Sequence, residues 1–340
     1  MSEAVQERDQ SPGFRYKKLI IGGFVAAAVA LALMVVLHDN PMADPDTERL
    51  KKICACVLLA LSVFVFTAFY DRWMILPAEL WGSRRLIARL ALNDFRKRYA
   101  GSYMGVVWAL MQPVVTVVMY WFVFDRIMHA RQEMAAGTLE VPYVLFLTAG
   151  LVPWFYFQEA LMNGTTALLE YNYLVKKVLF KISILPLIKI IAATFIHVFF
   201  ICVCLVVACA YGYYPSLYTL QIFYYGFCEF FLVLAISYTT CAVVVFFRDL
   251  TQIIAILLQI GTWATPILWN IAGIDDRFKW IIKLNPVTYI VEGYRLSVYG
   301  SEWFWQHFYS STYFWIVSVS LFLFGSLVFK RSKVHFADVL

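Results

Sequence analysis

The chain has 340 residues, 62% of them hydrophobic and 15% charged. A soluble domain is nearer half apolar and a quarter charged, so these proportions exclude a water-soluble enzyme or binding module and point to a polytopic membrane protein. The net charge of +6 does not indicate a nucleic-acid partner, because the cations sit beside apolar runs, where they set topology and meet lipid headgroups.

The apolar runs are continuous rather than alternating, so the spans are helices and not strands of a barrel. Residues 1–18 are polar and carry Arg8, Arg15, Lys17 and Lys18. Residues 19–37 form the first predicted span, too long for a signal peptide and without a small-residue cleavage site. A loop over 38–52 with Pro41 and Pro45 leads to a second span, 53–70. The next stretch, 80–102, reads LWGSRRLIARLALNDFRKRYAGS. Leu86, Ile87, Leu90, Ala91 and Phe95 share one helical face, and Arg84, Arg85, Arg89 and Arg96 take much of the rest. That is the pattern of a helix lying in the membrane surface.

Residues 103–124 carry no charge for about 22 residues, enough to cross a bilayer core. A polar loop, 125–142, precedes a span at 143–162 interrupted by Gly150 and Pro153. Residues 163–182 are a polar connection with Lys176, Lys177 and Lys181. Spans at 184–211 and 217–247 follow, then the short turn Arg248-Asp249 and a span at 250–269. A mixed segment, 270–311, leads to the last span, 312–329, and to Lys330, Arg331 and Lys333. With the N-terminus inside, the inner segments of these eight spans hold about twice the Lys and Arg of the outer ones, so both termini are expected in the cytoplasm. No internal repeat is evident, which weakens a secondary-transporter reading.

Segment 270–311 contains two short apolar stretches broken at Asn285-Pro286. Neither can cross, so two short helices dipping into the outer leaflet are expected. They form either a gate at the mouth of a pathway or a static cap; Glu292 and Arg295 sit where a pathway needs them. Aromatics make up 18% of the chain, and the clusters Tyr120-Trp121, Trp154-Phe155-Tyr156-Phe157 and 303–309 exceed an interfacial belt. Aromatic faces suit the apolar C–H patches of sugar rings. Glu159, Lys189, His197 and Glu229 are ionisable residues within spans, too scattered for an ion relay, and each is expected to face protein or water. The seven cysteines all lie in apolar runs, at no zinc-like spacing, and are read as packing residues with no metal site.

The 340 residues contain no Gly-x-x-x-x-Gly-Lys-Ser/Thr loop, so the chain is not expected to hydrolyse nucleotide. Energy for active transport would then come from a partner. The 163–182 connection, with Leu168, Leu169, Tyr171, Leu174, Val175, Val178 and Phe180 forming an apolar face, is either that partner's docking point or a helix lying on lipid.

Six stretches, RYAGSYMGVVWALMQP (98–113), FLTAGLVPWFYF (146–157), YNYLVKKVLFKISILP (171–186), FRDL (247–250), TP (265–266) and LNPVTYIVEGYR (284–295), together resemble the permease subunits of ABC exporters for cell-surface polysaccharides, the O-antigen, capsule and teichoic-acid exporters. The resemblance covers about 84–340. It implies an all-α permease core of six spans over 103–340, a homodimer, two copies of a separate cytoplasmic ATPase that binds the ATP and Mg, and a lipid-linked polysaccharide substrate in the bacterial inner membrane. No cofactor and no catalytic residue is expected in this chain. The resemblance implies an interface helix over 80–102 with Arg89, Arg96, Arg98 and Tyr99. It implies a coupling helix over about 166–181 with Tyr171, Asn172, Leu174, Val175, Lys176, Lys177 and Phe180, and a cytoplasmic turn at Arg248 and Asp249. It further implies a substrate pathway with Trp108, Tyr120, Trp121, Trp154, Tyr156, Phe157, Glu159, Tyr294 and Arg295. Outer gate helices over about 276–300 would carry Asn285, Pro286, Tyr289 and Glu292. Two features depart from the family: Lys181 follows Phe180 where members often have proline, and a hairpin over 1–75 precedes the interface helix. The hairpin is read either as a peripheral stabiliser, as a recruitment site for another export component or as a lateral lipid entry. Alternative functions are an ABC exporter for a lipid or small hydrophobic compound, an ion-coupled flippase, or a membrane scaffold.

Overall fold

The computed structural model describes residues 17–37, 45–98, 103–105, 107–128, 131–133, 140–175 and 181–340. Two compact units result, residues 1–84 and 85–340. In the first, α1 (Lys17–Leu37) and α2 (Pro45–Trp73) pair as a hairpin, followed by α3 (Ile75–Gly82). Phe24 stacks on Phe66 at 4.2 Å between ring centres, and Lys17 lies over the Tyr70 ring, so aromatic contacts join α1 to α2.

The second unit begins within α4 (Arg84–Arg98). Next come α5 (Val107–Tyr120), a π-helical turn Trp121–Ile127, and a two-stranded antiparallel ribbon, β1 (Arg131–Glu133) on β2 (Glu140–Pro142). The long helices are α6 (Tyr143–Glu170), α8 (Leu185–Ala210), α9 (Gln221–Val244) and α13 (Phe308–Ser332). The four-residue α7 (Asn172–Val175) sits between α6 and α8. Between α9 and α13 come α10 (Leu250–Ala264), α11 (Asp276–Leu284) and α12 (Pro286–Tyr299), and α14 (Phe336–Val339) closes the chain.

Among the described residues, five helices are long and apolar enough to cross a membrane, and shorter apolar helices stand at the remaining three expected places, 55–68, 114–124 and 250–264. Two details of the sequence reading are corrected. Gly150 and Pro153 do not interrupt their span, for α6 runs unbroken through Pro153. One lost backbone bond does not break a helix packed by neighbours on several sides. Nor does the polar connection begin at 163: α6 continues eight residues into it, to Glu170, with Ala167 and Leu168 completely buried.

Helix α6 is the centre of the unit. It packs on α8, α9, α10 and α12, while α9 also packs on α13. Because α6 meets protein rather than lipid, several of its polar side chains are enclosed with partners: Thr165 shares a hydrogen bond of 2.7 Å with Thr240, and Trp154 Nε1 donates to Thr262 Oγ1 at 3.0 Å. The helix ends define two faces of the bundle. One, which we term the basic end, carries α4, Lys330 and Arg331. The other, the aromatic end, carries Trp303, Phe304, Trp305, Phe308 and Tyr309 around the start of α13.

The α9–α12 contact is the tightest. A methyl group on Gly293 would lie 2.0 Å from Tyr225 Cε1, inside a fully buried ring. Only glycine allows α12 to approach α9 this closely. Gly293→Ala should therefore lower stability by several kcal/mol, beyond the usual overpacking cost of about 1–3 kcal/mol, read as a fall in the thermal unfolding midpoint in detergent. Gly22→Ala, whose added methyl meets nothing within 4 Å, should leave the midpoint unmoved. Because residues 1–84 form their own compact unit, removal of 1–75 should leave a chain that still unfolds cooperatively in the same assay.

Candidate functional site

Two regions collect the residues that the sequence singles out. At the basic end, α4 turns Ile87, Ala91 and Asp94 into the protein, while Arg85, Arg89 and Arg96 are exposed. Arg98 pairs with Glu159 on α6 and lies 3.8 Å from Asp94 Oδ2. Tyr99 lies outside the described residues, as do Lys176, Lys177 and Phe180.

The expected coupling helix over 166–181 is not a single helix in the described residues. Residues 166–170 are the last turn of α6, Tyr171 is its C-cap, and α7 is a separate helix of four residues. Of the apolar face, Leu168 and Val175 are buried in the unit and Leu169, Tyr171 and Leu174 are half-buried, while Asn172 and Tyr173 beside it are exposed. Tyr171 donates its hydroxyl to Asp94 Oδ1. Burial and then the Asp94 carboxylate push its pKa up, which keeps the donor proton in place. Arg248 and Asp249 form the tight turn between α9 and α10, both exposed.

At the aromatic end two Xaa-Pro pairs shape the chain. Thr265 before Pro266 ends α10 and Asn285 before Pro286 ends α11, both with extended backbone. Asn285 Oδ1 accepts from the Val287 amide at 3.0 Å and caps α12; its Nδ2 donates to Thr265 Oγ1 at 2.9 Å. Thr288 Oγ1 donates to Ile282 O at 3.0 Å and Tyr313 OH to Leu284 O at 2.8 Å, which pins the corner further.

Helices α11 and α12 are unlike each other. Helix α12 is a core element. Arg295, 2% exposed, donates to Ile267 O at 2.8 Å and Phe146 O at 3.4 Å, pairs with Glu292 at 2.7 Å, and lies 3.5 Å over the Phe146 ring. Gly150 makes room for it: a methyl there would meet the guanidinium at 3.0 Å. Tyr294 OH hydrogen-bonds His197 Nε2 at 2.7 Å, Tyr156 stacks on His197, and the wholly buried Glu229 lies 3.8 Å away. Tyr289 OH bonds Ser311 Oγ at 2.8 Å and Tyr224 OH at 3.2 Å. On α11, by contrast, Phe278, Trp280, Ile281 and Leu284 are all about half exposed or more.

The residues expected along a pathway fall into two groups. Trp154, Tyr156, Phe157, Tyr294 and Arg295 are buried inside the unit, where they hold α6 to α8, α10 and α12. Trp108 is exposed, and Tyr120 and Trp121 are half-buried, Trp121 Nε1 donating to Tyr211 OH at 3.1 Å. Sequence reasoning missed the Asn285–Thr265 bond, the Tyr225–Gly293 contact and the partners of Lys189. The only signals were the two prolines, a lone glycine and a lysine in an apolar run. Replacing Arg295 by Met strands two carbonyls and Glu292, and should cost on the order of 3 kcal/mol. Glu292→Gln, at the exposed end of the pair, should cost less than about 1 kcal/mol. Denaturation midpoints of the two variants read the difference.

Comparison with known proteins bears on the second unit. The ABC-2 type transporter family profile matches residues 85–299, starting at the residue where that unit begins. The chain is similar to the O-antigen export system permease protein RfbA of Myxococcus xanthus, 28% identical over 226 residues, 66% of this chain and 84% of that protein. It is similar also to the protein of the same name from Klebsiella pneumoniae, 26% identical over 259 residues, 75% of this chain and 95% of that protein. A family match over more than half of the chain, on a helical unit with the described spans, makes this protein a member of the ABC-2 type transporter membrane family, and hence a transport component.

Proposed function

We propose that this protein is the permease subunit of an ATP-driven exporter of a lipid-linked, O-antigen-like polysaccharide. The observation that carries this reading is the match, over 95% of its length, to a relative named an O-antigen export permease. In this reading the protein works as a homodimer in the bacterial inner membrane, with both termini in the cytoplasm and two copies of an ABC ATPase below it. The partner, which supplies the nucleotide site, holds ATP and Mg. This chain supplies the passage and the mechanical connection.

The basic end then faces the cytoplasm, with the arginines of α4 among the headgroups. The partner docks on the segment following α6, where Asn172 and Tyr173 are exposed. The aromatic end faces outward, and the closure there divides its labour. Helix α12, held by Arg295, Tyr294 and Tyr289, forms the fixed rim, and α11, tethered through the Asn285 corner, forms the movable flap. The exposed apolar face with Trp108 on α5 provides surface for the acyl chains of the carrier or for the second protomer.

Co-expression with an ABC ATPase from the same organism provides the test. The wild-type chain should co-purify with that ATPase. Leu174→Asp combined with Lys176→Glu and Lys177→Glu should release the partner while the permease remains folded. Cells lacking the chain should lose surface polysaccharide and accumulate lipid-linked polymer in the cytoplasm. An ATPase complex that survives the triple change would overturn the docking assignment. Surface polymer unchanged by loss of the chain, with an altered lipid instead, would favour export of a lipid or small hydrophobic compound.

A further inference from the structure

Lys189 lies in the second turn of α8, where its side chain is 7% exposed and holds two carboxylates at once. Its Nζ donates to Asp94 Oδ1 at 2.7 Å and to Glu170 Oε2 at 2.6 Å. The cation also sits 4.9 Å over the Tyr171 ring, whose hydroxyl donates to the same Asp94 oxygen. Glu170 Oε1 accepts from Thr166 Oγ1 at 2.7 Å, which fixes its other oxygen toward Lys189. Arg98 stands 3.8 Å from the second Asp94 oxygen and carries the cluster on to Glu159. Three elements meet here: α4 through Asp94, the end of α6 and its cap through Glu170 and Tyr171, and the start of α8 through Lys189.

We propose that Lys189 is a positioning residue whose ion cluster makes α4 and the docking segment after α6 move as one body, so that force applied at the segment reaches the surface helix and α8 together. This inference rests on the docking reading given above. The physical argument is a contrast between kinds of contact. Apolar burial is non-directional, so two faces can repack in a neighbouring register and keep most of their buried area. The buried pair of Lys189 and Asp94 cannot slide, because any displacement strands a charge without solvent, and the half-exposed Glu170 adds a second, directional tie to the same cation. The cluster lies within two residues of the exposed Asn172 and Tyr173. A pull on α7 therefore acts first on Tyr171 and Glu170, and through Lys189 and Asp94 on α4. Methionine of similar length would preserve packing and abolish this link.

The test uses the full complex of permease and ATPase. Lys189→Met with Asp94→Asn removes cation and carboxylate together, so no buried charge is left alone opposite Asp94. The double variant should co-purify with the ATPase while polymer exported per ATP hydrolysed falls at least tenfold. Lys189→Arg, which keeps the cation, should restore export to within about threefold of wild type. A second measurement works on the otherwise unaltered network. Spin labels at Arg89→Cys on α4 and Tyr173→Cys on α7, in a chain freed of its other cysteines, should keep one separation with and without trapped nucleotide, and two separations in the double variant. Wild-type export per ATP from the double variant, or a nucleotide-dependent separation in the labelled parent, would reduce the cluster to a folding anchor. A wild-type permease that binds no ATPase would overturn the docking reading and this one with it, an outcome distinct from a complex that binds and exports without the cluster.

Discussion

Polar groups inside a bilayer must find their partners within the protein, and the organisation of this unit follows from that constraint. Helix α6 shows it most plainly. It carries Thr148, Trp154, Tyr156, Gln158, Glu159 and Thr165 along one span, a composition that lipid would not tolerate. Each is met by a neighbour or by its own backbone: Thr148 by Val144 O, Trp154 by Thr262, Tyr156 by Thr194, Thr165 by Thr240, Glu159 by Arg98. The partners lie on α4, α8, α9 and α10, so α6 can sit only where all four surround it. The most polar long helix is thus the most enclosed one, and α8, almost wholly apolar, presents Phe195, Val198, Phe199 and Val206 outward. In water the ordering is the reverse.

The same constraint explains what was legible in the sequence. Long apolar runs mark all eight helical places among the described residues, because length and scarcity of charge suffice to recognise a span. The corner at Asn285-Pro286 was legible too, since proline restricts its predecessor whatever the surroundings. Which face of each span meets protein was not legible. Lipid and protein interior are both apolar, so the periodicity that identifies a buried face in a soluble helix is weak here. Arg295 and Tyr294 therefore read as pathway residues, yet they fasten α12 to α6 and α8. The end of α6 was misjudged for a related reason. Glu170, Lys176 and Lys177 make 163–182 read as a polar connection, but Glu170 is matched by Lys189 from a helix that starts 15 residues later. A pairing between two elements leaves no trace in the pattern of either.

The two ends are built from different chemistry. The basic end is held by ions, Lys189 and Arg98 with Asp94, Glu159 and Glu170. The aromatic end is held by rings and hydroxyls: Tyr224 stacks on Phe304 at 4.0 Å, Trp303 on Trp305 at 4.5 Å, and Trp315 Nε1 donates to Tyr224 OH at 3.1 Å. Rings with one polar tip suit a boundary between lipid and water. Ion pairs suit a place where several helices must keep one register, because they tolerate little displacement.

The link between the two prolines gives the aromatic end its particular geometry. Proline pushes the residue before it into extended backbone, so Thr265 and Asn285 each turn the chain out of a helix. Either turn is also pinned by local bonds, Thr288 to Ile282 O and Tyr313 to Leu284 O at one and Arg295 to Ile267 O at the other. The hydrogen bond from Asn285 Nδ2 to Thr265 Oγ1 joins the turns to each other, 20 residues apart in sequence. Arg295 then ties the same region to α6, because it donates to Ile267 O, two residues past Thr265, and to Phe146 O. The segment between the prolines, α11 included, is therefore closed at both ends and fixed at its base to the core, while the outward faces of Phe278, Trp280, Ile281 and Leu284 are left uncovered by the protomer. A loop anchored at its base and free along its apolar face can change its contacts with lipid while the core beneath it stays packed. That is the property required of the movable part of a closure, and α12, buried along Val287, Ile290, Val291, Tyr294 and Val298, does not have it.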